Sequence, residues 1–266
     1  MGLFLAEGER TVDQILQNGQ LEIEAVIVGE TRLSKGSIGH HCLTAIKPLF
    51  SATSEQIATL SDTETPQEVM AICRIPALLT EIQLVRRPNS ATGFTLPIIL
   101  ALDGIQDPGN MGTILRSAAW FGVQGLLFGK GNVDPWNPKV VRSSVGGIAG
   151  IAAAEGNLQE SIGRLKELGC RICSLELGEG AISLTQFLKT VFEEEATQEN
   201  KNQKMPWVVV VGNEANGISA EVSVMSDARV KIEGSQDGAV ESLNVGVSAG
   251  IALYAILHTI LSKHKL

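Results

Sequence analysis

The chain has 266 residues, of which 44% are hydrophobic and 19% are charged. This balance is typical of a globular protein and excludes a wholly disordered chain. The length is sufficient for one large domain or two smaller ones. A formal net charge of −8 argues against a protein that simply coats nucleic acid, but it is compatible with a local basic site.

The N-terminus and the cysteines favour a cytoplasmic protein. Residues 1–6 run directly into Glu7 and Arg10 without a basic segment or a long apolar core, so we expect no signal peptide. The chain has four cysteines, and Cys170 and Cys173 form one CxxC pair. A structural zinc site usually needs a second pair of ligands, so we predict buried free thiols and no metal.

The first 85 residues predict a small α/β domain. Apolar periodicity predicts strands at 3–7, 21–28 and 69–75 and helices at 9–16 and 54–60. Residues 31–39 are polar and predict a loop. Residues 86–95 contain an Arg-Arg-Pro-Asn-Ser run and predict a linker.

From residue 96 onward, apolar strands alternate with helices, a pattern typical of a parallel sheet covered by helices. We predict strands at 98–102, 126–128, 171–175, 208–211 and 229–232, and helices at 111–121, 138–145 and 158–168. Residues 193–204 are polar and charged and predict a solvated loop.

The last predicted helix, 245–260, follows Asn244, which is well suited to be its N-cap. Its faces are all apolar or small, so we expect it to be buried almost all round. The run is shorter than a typical membrane span and contains polar residues such as His258, so we expect no membrane association.

Three segments combine glycine with polar side chains at the ends of predicted elements. They are residues 103–119, where Asn110 is an expected N-cap and Arg116 follows on the helix, residues 212–219 with Glu214, and residues 242–244. In an open α/β sheet, ligands bind beyond the carboxyl ends of the strands, so we expect one site. Each segment alone is equally consistent with an ordinary surface turn. The glycine patterns of dinucleotide and P-loop sites are absent from the sequence.

A fourth segment, residues 139–146, is basic. Together with Lys130, its residues Lys139 and Arg142 are suited to hold phosphates. A solvated helix face is the alternative interpretation.

These segments resemble the motifs of the SpoU (TrmH-like) family of RNA 2′-O-ribose methyltransferases, within the SPOUT superfamily. The matching residues are Asn110 and Arg116, then Asn213, Glu214 and Gly217, and finally Ser242, Leu243 and Asn244. Residues 139–146 resemble the family's intermediate K-V-V-R-x-S-x-G pattern. This resemblance covers residues 96–266, whereas residues 1–85 resemble the L30e-like RNA-binding domain of ribosomal-RNA members.

The resemblance implies an α/β fold whose C-terminal domain contains a parallel sheet and a deep trefoil knot. It also implies S-adenosylmethionine (SAM) as methyl donor, an RNA substrate and a homodimer. The implied cofactor-binding residues are Gly212, Asn213, Glu214, Gly217, Ile232, Ser242, Leu243 and Asn244. The implied catalytic residues are Arg116, Asn110, Glu214, Ser242 and Asn244, and those expected to bind RNA are Lys130, Lys139, Arg142 and Ser144.

Methyl transfer to a ribose 2′-OH requires loss of the hydroxyl proton. A charged guanidinium has donors but no acceptor, so we expect Arg116 to stabilise the developing alkoxide or to grip phosphate. The proton would leave through water or to Glu214. The N-terminal resemblance favours rRNA. A tRNA methyltransferase and a non-catalytic RNA-binding protein remain alternatives, and the missing glycine fingerprint counts against a nicotinamide-dependent dehydrogenase.

Overall fold

The computed structural model describes residues 2–87, 95–197, 205–235 and 240–263. The first part of the chain contains a four-stranded sheet. Its elements are β1 (Leu3–Glu7), α1 (Glu9–Asn18), β2 (Ile23–Gly29), α2 (Glu30–Leu33), β3 (Ser37–Ile38), β4 (His41–Cys42), β5 (Leu49–Ala52), α3 (Ser54–Leu60), β6 (Val69–Arg74) and α4 (Glu81–Val85).

The small sheet has the strand order β1-β6-β2-β5. Strand β6 is antiparallel to both β1 and β2, whereas β5 runs parallel to β2. The predicted strands and helices of this region are confirmed, and Gly19 ends α1 in the left-handed conformation. The predicted loop at 31–39 is partly wrong, because α2 and β3 occupy most of it and Ile38 is completely buried. A largely polar sequence did not reveal that Ile38 and Leu33 anchor the segment in the core.

The second part of the chain contains the larger sheet. Its elements are β7 (Leu96–Asp103), α5 (Pro108–Phe121), β8 (Val123–Phe128), α6 (Pro138–Ser144), β9 (Ala153–Glu155), α7 (Leu158–Glu167), β10 (Arg171–Leu175), β11 (Ile182–Ser183), α8 (Leu184–Thr197), β12 (Trp207–Gly212), α9 (Ala220–Ser223), β13 (Ala228–Lys231) and α10 (Val245–Lys263).

The seven strands of the larger sheet are ordered β11-β13-β10-β12-β7-β8-β9, and every pairing is parallel. Alternate residues of β7 enter different cores, because successive side chains of a strand point to opposite faces. Ile98 and Leu100 pack with α5 and α10, whereas Ile99 and Ala101 pack with α7. The predicted parallel sheet with helices on both faces is therefore confirmed. The deep trefoil knot stays a prediction.

The end of α8 corrects one prediction. The helix continues to Thr197, so residues 193–197 are not a loop, and residues 198–204 lie outside the described residues. The run Glu-Glu-Glu-Ala is polar, but glutamate and alanine are good helix formers. The polarity of this run therefore did not imply an irregular backbone.

Helix α4 packs on the larger sheet, although the predicted boundary places it in the first domain. We call the small sheet with the helices packed on it the small unit, and the larger sheet with its helices the larger unit. Leu84 and Val85 belong to the core of the larger unit, and the Gln124 side chain donates to both of their carbonyl oxygens at 2.8 Å. Most of the predicted linker, residues 88–94, lies outside the described part of the chain. We propose that the domain boundary precedes α4.

Helix α10 is not buried almost all round, so that prediction is wrong. Ala249, Ala252 and Leu253 are completely buried, but Val247 is 47% and Tyr254 57% exposed. Its window Val245–Ser262 has a mean hydropathy of 1.7, so length and composition alone would permit a membrane span. One face of α10 packs against the core, and its other apolar face is not covered by any described residue.

Candidate functional site

Two of the three motif loops leave neighbouring strands side by side. Asp103 at the end of β7 pairs in register with Gly212 at the end of β12. The Asp103 carboxylate accepts hydrogen bonds from the Ser219 backbone N–H at 2.8 Å and from its hydroxyl at 2.7 Å. The Asn213 side chain donates to the Gly104 carbonyl oxygen at 2.7 Å. The parallel sheet and these bonds hold both loops at one edge.

Asn213 also shapes its own loop. Its side-chain oxygen accepts from the backbone N–H groups of Ala215 at 2.9 Å and Asn216 at 3.0 Å, and its backbone pairs with Gly217 in both directions. Gly217 has a φ of 68°, which suits glycine. A Cβ on Gly212 would lie 2.3 Å from the Gly217 carbonyl carbon, so the loop can close only over a glycine.

The first motif differs from the sequence prediction at its cap. Asp107, not Asn110, is the N-cap of α5, and its carboxylate accepts from the Asn110 backbone N–H at 2.8 Å. The helix begins at Pro108, where the missing N–H of proline costs no hydrogen bond. Asn110 therefore lies inside the first turn, and its side chain is free to contact other loops.

A chain of side-chain hydrogen bonds joins the three motifs. The Asn244 amide donates to Asn110 Oδ1 at 2.8 Å, and the Asn110 amide donates to Glu214 Oε1 at 2.7 Å. Asn244 also caps α10, as predicted, because its Oδ1 accepts from the N–H groups of Gly246 at 2.9 Å and Val247 at 3.2 Å. The cap fixes the direction of these hydrogen bonds. Because Asn244 Oδ1 accepts in the cap, the Asn244 amide nitrogen faces Asn110 and donates to it, so Asn110 Oδ1 accepts and the Asn110 amide nitrogen donates to the Glu214 carboxylate. We call Asn110, Glu214 and Asn244 the motif trio.

Arg116 lies apart from the trio. It follows Asn110 by six residues on α5, which places it about 9 Å farther along the helix and about 120° around it. The side chain is exposed and has no hydrogen bond or ion pair with any described residue. Within one chain, the structure does not bring Arg116 into contact with the trio.

Three further cofactor candidates, Ser242, Leu243 and Ile232, are not members of the trio. Ser242 is exposed, Leu243 is 50% exposed and Ile232 is half-buried against the core of the larger unit. Together they offer a hydroxyl and two aliphatic side chains close to the start of α10 and the end of β13. This mixture of apolar and polar groups is typical of a small-molecule site.

The four residues predicted to bind RNA fall into two groups. Lys130 and Lys139 are exposed. Arg142 instead donates from Nη1 to Glu7 at 3.0 Å and to Asp62 at 2.6 Å. Ser144 is 1% exposed, and its hydroxyl donates to the Val141 carbonyl oxygen at 2.9 Å. The polar atoms of Arg142 and Ser144 are therefore engaged within the protein, and RNA binding by these two residues stays a prediction.

Sequence reasoning missed several residues that build the site. Asp107 could have been found, because it precedes a proline, the pattern of an N-cap followed by the first helical residue. Asn132 gave no such signal. Its side chain accepts from the Ile105 N–H at 2.6 Å and donates to the carbonyl oxygens of Leu102 and Gly129, both at 2.8 Å. It thereby ties the loop after β8 to the first motif.

The CxxC pair is buried, as predicted. Burial raises the pKa of the Cys170 thiol to about 11 and that of the Cys173 thiol to about 12. Both therefore remain protonated near neutral pH. No group of three or more potential His, Cys, Asp or Glu metal ligands occurs in the described part of the chain.

Comparison with known proteins bears on both parts of the chain. Residues 97–254 match the model of the SpoU rRNA Methylase family, and residues 1–71 match an MRM3-like substrate binding domain. The 23S rRNA (guanosine(2553)-2′-O)-methyltransferase RlmP of Bacillus subtilis is 30% identical over 252 residues, which cover 94% of this chain and 87% of that protein.

Solved structures share the whole architecture. A TrmH-family protein from Porphyromonas gingivalis superposes with a TM-score of 0.69 and 27% identity, covering 96% of this chain and 89% of the other. The SpoU methyltransferase AviRb from Streptomyces viridochromogenes, solved with AdoMet, gives a TM-score of 0.72 at 21% identity over 98% of this chain and 91% of its own, and shows the fold alone. The family match and the full-length relative together show that this chain belongs to the SpoU rRNA methylase family.

Proposed function

We propose that this protein transfers a methyl group from SAM to a ribose 2′-OH of ribosomal RNA. The observation that carries the proposal is the motif trio, in which Asn110, Glu214 and Asn244 link three loops that are far apart in sequence. The trio faces solvent beside the carboxyl ends of β7 and β12, where a ligand of an open α/β sheet binds.

The residues around the trio fit SAM. The closed loop from Gly212 to Gly217 brings backbone close to the site without side-chain bulk. Leu243 and Ile232 provide aliphatic surface for an adenine ring, and the Glu214 carboxylate provides negative charge for a sulfonium. When bound, SAM would supply an electrophilic methyl group. Asn213 and Asn244 would order the loops that hold it.

The chain's own residues would position the nucleophile and move its proton. Glu214 Oε1 already accepts from Asn110, which leaves its second oxygen available to accept from a ribose hydroxyl or a water. Arg116 has five donors and no described partner, so it can stabilise the developing alkoxide or hold the adjacent phosphate. Ser242 would provide a further hydroxyl for this proton transfer.

We propose a homodimer formed through the uncovered face of α10. The exposed apolar side chains of this face are Val247, Ile251 and Tyr254, and Tyr254 lies 6.4 Å from the Phe121 ring of α5. Trp120, 84% exposed, follows Arg116 by one helical turn. A second copy seated here would cover both aromatic residues and bring Arg116 close to the other copy's trio, which would explain why Arg116 lies apart from its own.

Mixed dimers test this arrangement. An Arg116→Ala chain and an Asn244→Ala chain, each expected to keep about a tenth of the wild-type activity or less, are unfolded together, refolded as a mixture and assayed for methyl transfer. If Arg116 serves the partner's site, a mixed dimer contains one complete site and activity rises to about a quarter of the wild-type level, since half of the dimers are mixed. A mixture no more active than the average of the two variants would contradict the arrangement.

The substrate assignment rests on the N-terminal match to a substrate binding domain and on the rRNA activity of the relative. The test is transfer of labelled methyl from SAM to separated rRNA and tRNA, followed by nuclease digestion. Label in a 2′-O-methylnucleoside from rRNA supports the proposal. Label in tRNA alone would keep the chemistry and reject the substrate, and absence of both label and SAM binding would reject the function.

Cytoplasmic location and absence of membrane association remain part of the proposal.

A further inference from the structure

One buried carboxylate outside the candidate site has an unusually complete set of partners. Glu7, at the end of β1, has a side chain that is 1% exposed. Its Oε1 accepts from the hydroxyls of Ser61 at 2.7 Å and Thr63 at 3.3 Å, and from the Gln67 N–H at 3.0 Å. Its Oε2 accepts from Arg142 at 3.0 Å, the only one of these four partners that comes from the larger unit.

Arg142 thus connects the two units through charge. The same nitrogen, Nη1, also donates to Asp62, whose side chain is 54% exposed. We call Glu7, Asp62 and Arg142 the interdomain latch. An apolar junction surrounds it, in which the Phe4 and Trp136 rings lie 4.8 Å apart and Val141 packs into the core of the small unit.

Helix α6, which carries Arg142, packs directly on α5, which carries Asn110 and Arg116. Ser143 follows Arg142 on α6 and packs so closely against α5 that a Cβ on Gly112 would lie 2.2 Å from the Ser143 Cβ. Gly112 stands between Asn110 and Arg116. Because packed helices transmit displacement with little slack, the position of α6 relative to the small unit fixes that of α5.

We propose that the interdomain latch is a positioning device, which holds the small unit in one orientation on α6 so that RNA bound by that unit reaches the motif trio. In this role Arg142 does not contact RNA, although it lies in the basic segment. The proposal has two parts. The docking part, that the latch fixes the orientation of the small unit on α6, rests on geometry alone. The RNA part, that this orientation brings bound RNA to the motif trio, rests on the proposed function.

The charges favour this role over a phosphate contact. Two carboxylates already share Arg142 Nη1, so a phosphate at the same nitrogen would meet two neighbouring negative charges. Removing the arginine would leave the Glu7 carboxylate buried without a countercharge. Undocking of the small unit would then relieve that penalty by exposing Glu7 to water.

Interdomain distances test the docking part without any activity assay. Spin labels are placed on Cys42, which is exposed whereas the other three cysteines are buried, and on a cysteine introduced by Glu167→Cys at the end of α7. Labelled chains are diluted with unlabelled ones so that only distances within a chain are read. Arg142→Gln is compared with Lys139→Gln, which removes an equal charge from the same helix but no side-chain hydrogen bond or ion pair with a described residue.

The latch predicts one narrow distance peak for the wild type and for Lys139→Gln, and a broad or shifted distribution for Arg142→Gln. Arg142→Lys, which retains the charge, should recover at least part of the narrow peak. If Arg142→Gln does not fold, Glu7→Gln replaces it, because it removes the buried charge from the other side of the ion pair. A narrow, unshifted peak in Arg142→Gln, or in Glu7→Gln where that variant replaces it, would overturn the docking role.

A double-mutant cycle with Glu7→Gln tests the RNA part in the methylation assay. The latch predicts that Arg142→Gln raises KM for rRNA about tenfold with kcat almost unchanged, and that it adds little in the Glu7→Gln background. The salt dependence of RNA binding should not change. A phosphate contact would instead give the same loss in both backgrounds and lower the salt slope by about 0.7–0.9. If the wild type transfers no methyl group at all, the proposed function fails, while the distance measurement still decides the docking role.

Discussion

The three motif loops and the basic segment on α6 make an instructive comparison, because both matched family patterns in the sequence and they differ in what their polar atoms do. In the loops, Asn110, Glu214 and Asn244 bond to each other and remain accessible to solvent. In the basic segment, Arg142 is paired with two carboxylates and Ser144 is buried.

This difference separates two kinds of polar residue that a sequence pattern does not distinguish. Side chains that bond to each other at an exposed edge of a sheet can exchange those bonds for a ligand. Side chains that bond to buried partners stabilise packing, and their loss leaves an unsatisfied group. Substitutions in the motif trio should therefore reduce activity more than stability, and substitution of the buried Ser144 on α6 should do the reverse.

The largest effect should come from Arg116, whose side chain has no hydrogen bond or ion pair with any described residue to lose. We expect Arg116→Ala to lower the single-turnover methylation rate about 10²–10³-fold, the usual cost of removing one donor to a developing oxyanion. Thermal stability and SAM affinity should not change. Arg116→Lys should also lose most of the rate, because a planar guanidinium and an ammonium are not interchangeable in bidentate contacts.

The matched control is Arg86→Gln, which removes an exposed arginine that has no side-chain partner among the described residues. Its methylation rate should remain within twofold of wild type. A near-native rate for Arg116→Lys would show that the guanidinium is not required.

The next effect concerns the closure of the second motif loop. Gly212→Ala places a Cβ within 2.3 Å of the Gly217 backbone, so the loop must open. Overpacking of this kind costs about 1–3 kcal/mol in the free energy of unfolding. SAM binding, measured by calorimetry, should be lost or strongly weakened. Gly234→Ala is the control, since a Cβ there meets no atom of the described residues within 4 Å, and it should bind SAM normally.

Asn244 has a structural and a site role that two substitutions can separate. Asn244→Asp keeps the N-cap, because aspartate and asparagine cap equally well, but it removes the amide that donates to Asn110. We expect the stability of wild type and a methylation rate reduced about tenfold or more, as a hydrogen bond is replaced by two facing acceptors. Asn244→Ala should lose the same activity and also about 1 kcal/mol of stability. Equal activity of Asn244→Asp and wild type would contradict the role of the trio.

The smallest effect on activity should come from Ser144 in the basic segment. Ser144→Ala removes a buried hydroxyl that donates to Val141, and should cost about 1 kcal/mol in urea unfolding. RNA affinity, measured by filter binding at several salt concentrations, should be unchanged. A weaker affinity with normal stability would restore the RNA contact that the sequence predicted for Ser144.

The sequence was sufficient to predict most strands and helices of the larger sheet, because buried parallel strands are apolar runs that alternate with amphipathic helices. It was also sufficient to find the motif loops, since glycine and amide side chains mark the ends of β7 and β12. The prediction that Asn110 caps α5 was wrong, and with it the hydrogen bonds of its side chain to the other loops were missed, although the Asp107-Pro108 pair carries the signal for the true cap.

Other features could not be read from the sequence for physical reasons. The apolar residues of α10 look the same whether the fold or a second copy covers them, so the exposure of Tyr254 was not foreseeable. Arg142 likewise has the same sequence context whether it meets a phosphate or Glu7, because its partner lies 135 residues away in the chain.

The most direct test of the central claim is a double-mutant cycle between Asn110 and Glu214, read as the single-turnover rate of methyl transfer from labelled SAM to rRNA. If the motif loops act as one unit, Asn110→Ala and Glu214→Gln should each slow the reaction, and the double variant should be little slower than the more damaging single one. If the two losses simply multiply, the 2.7 Å contact between these side chains has no part in the reaction, and the loops would not act as one site.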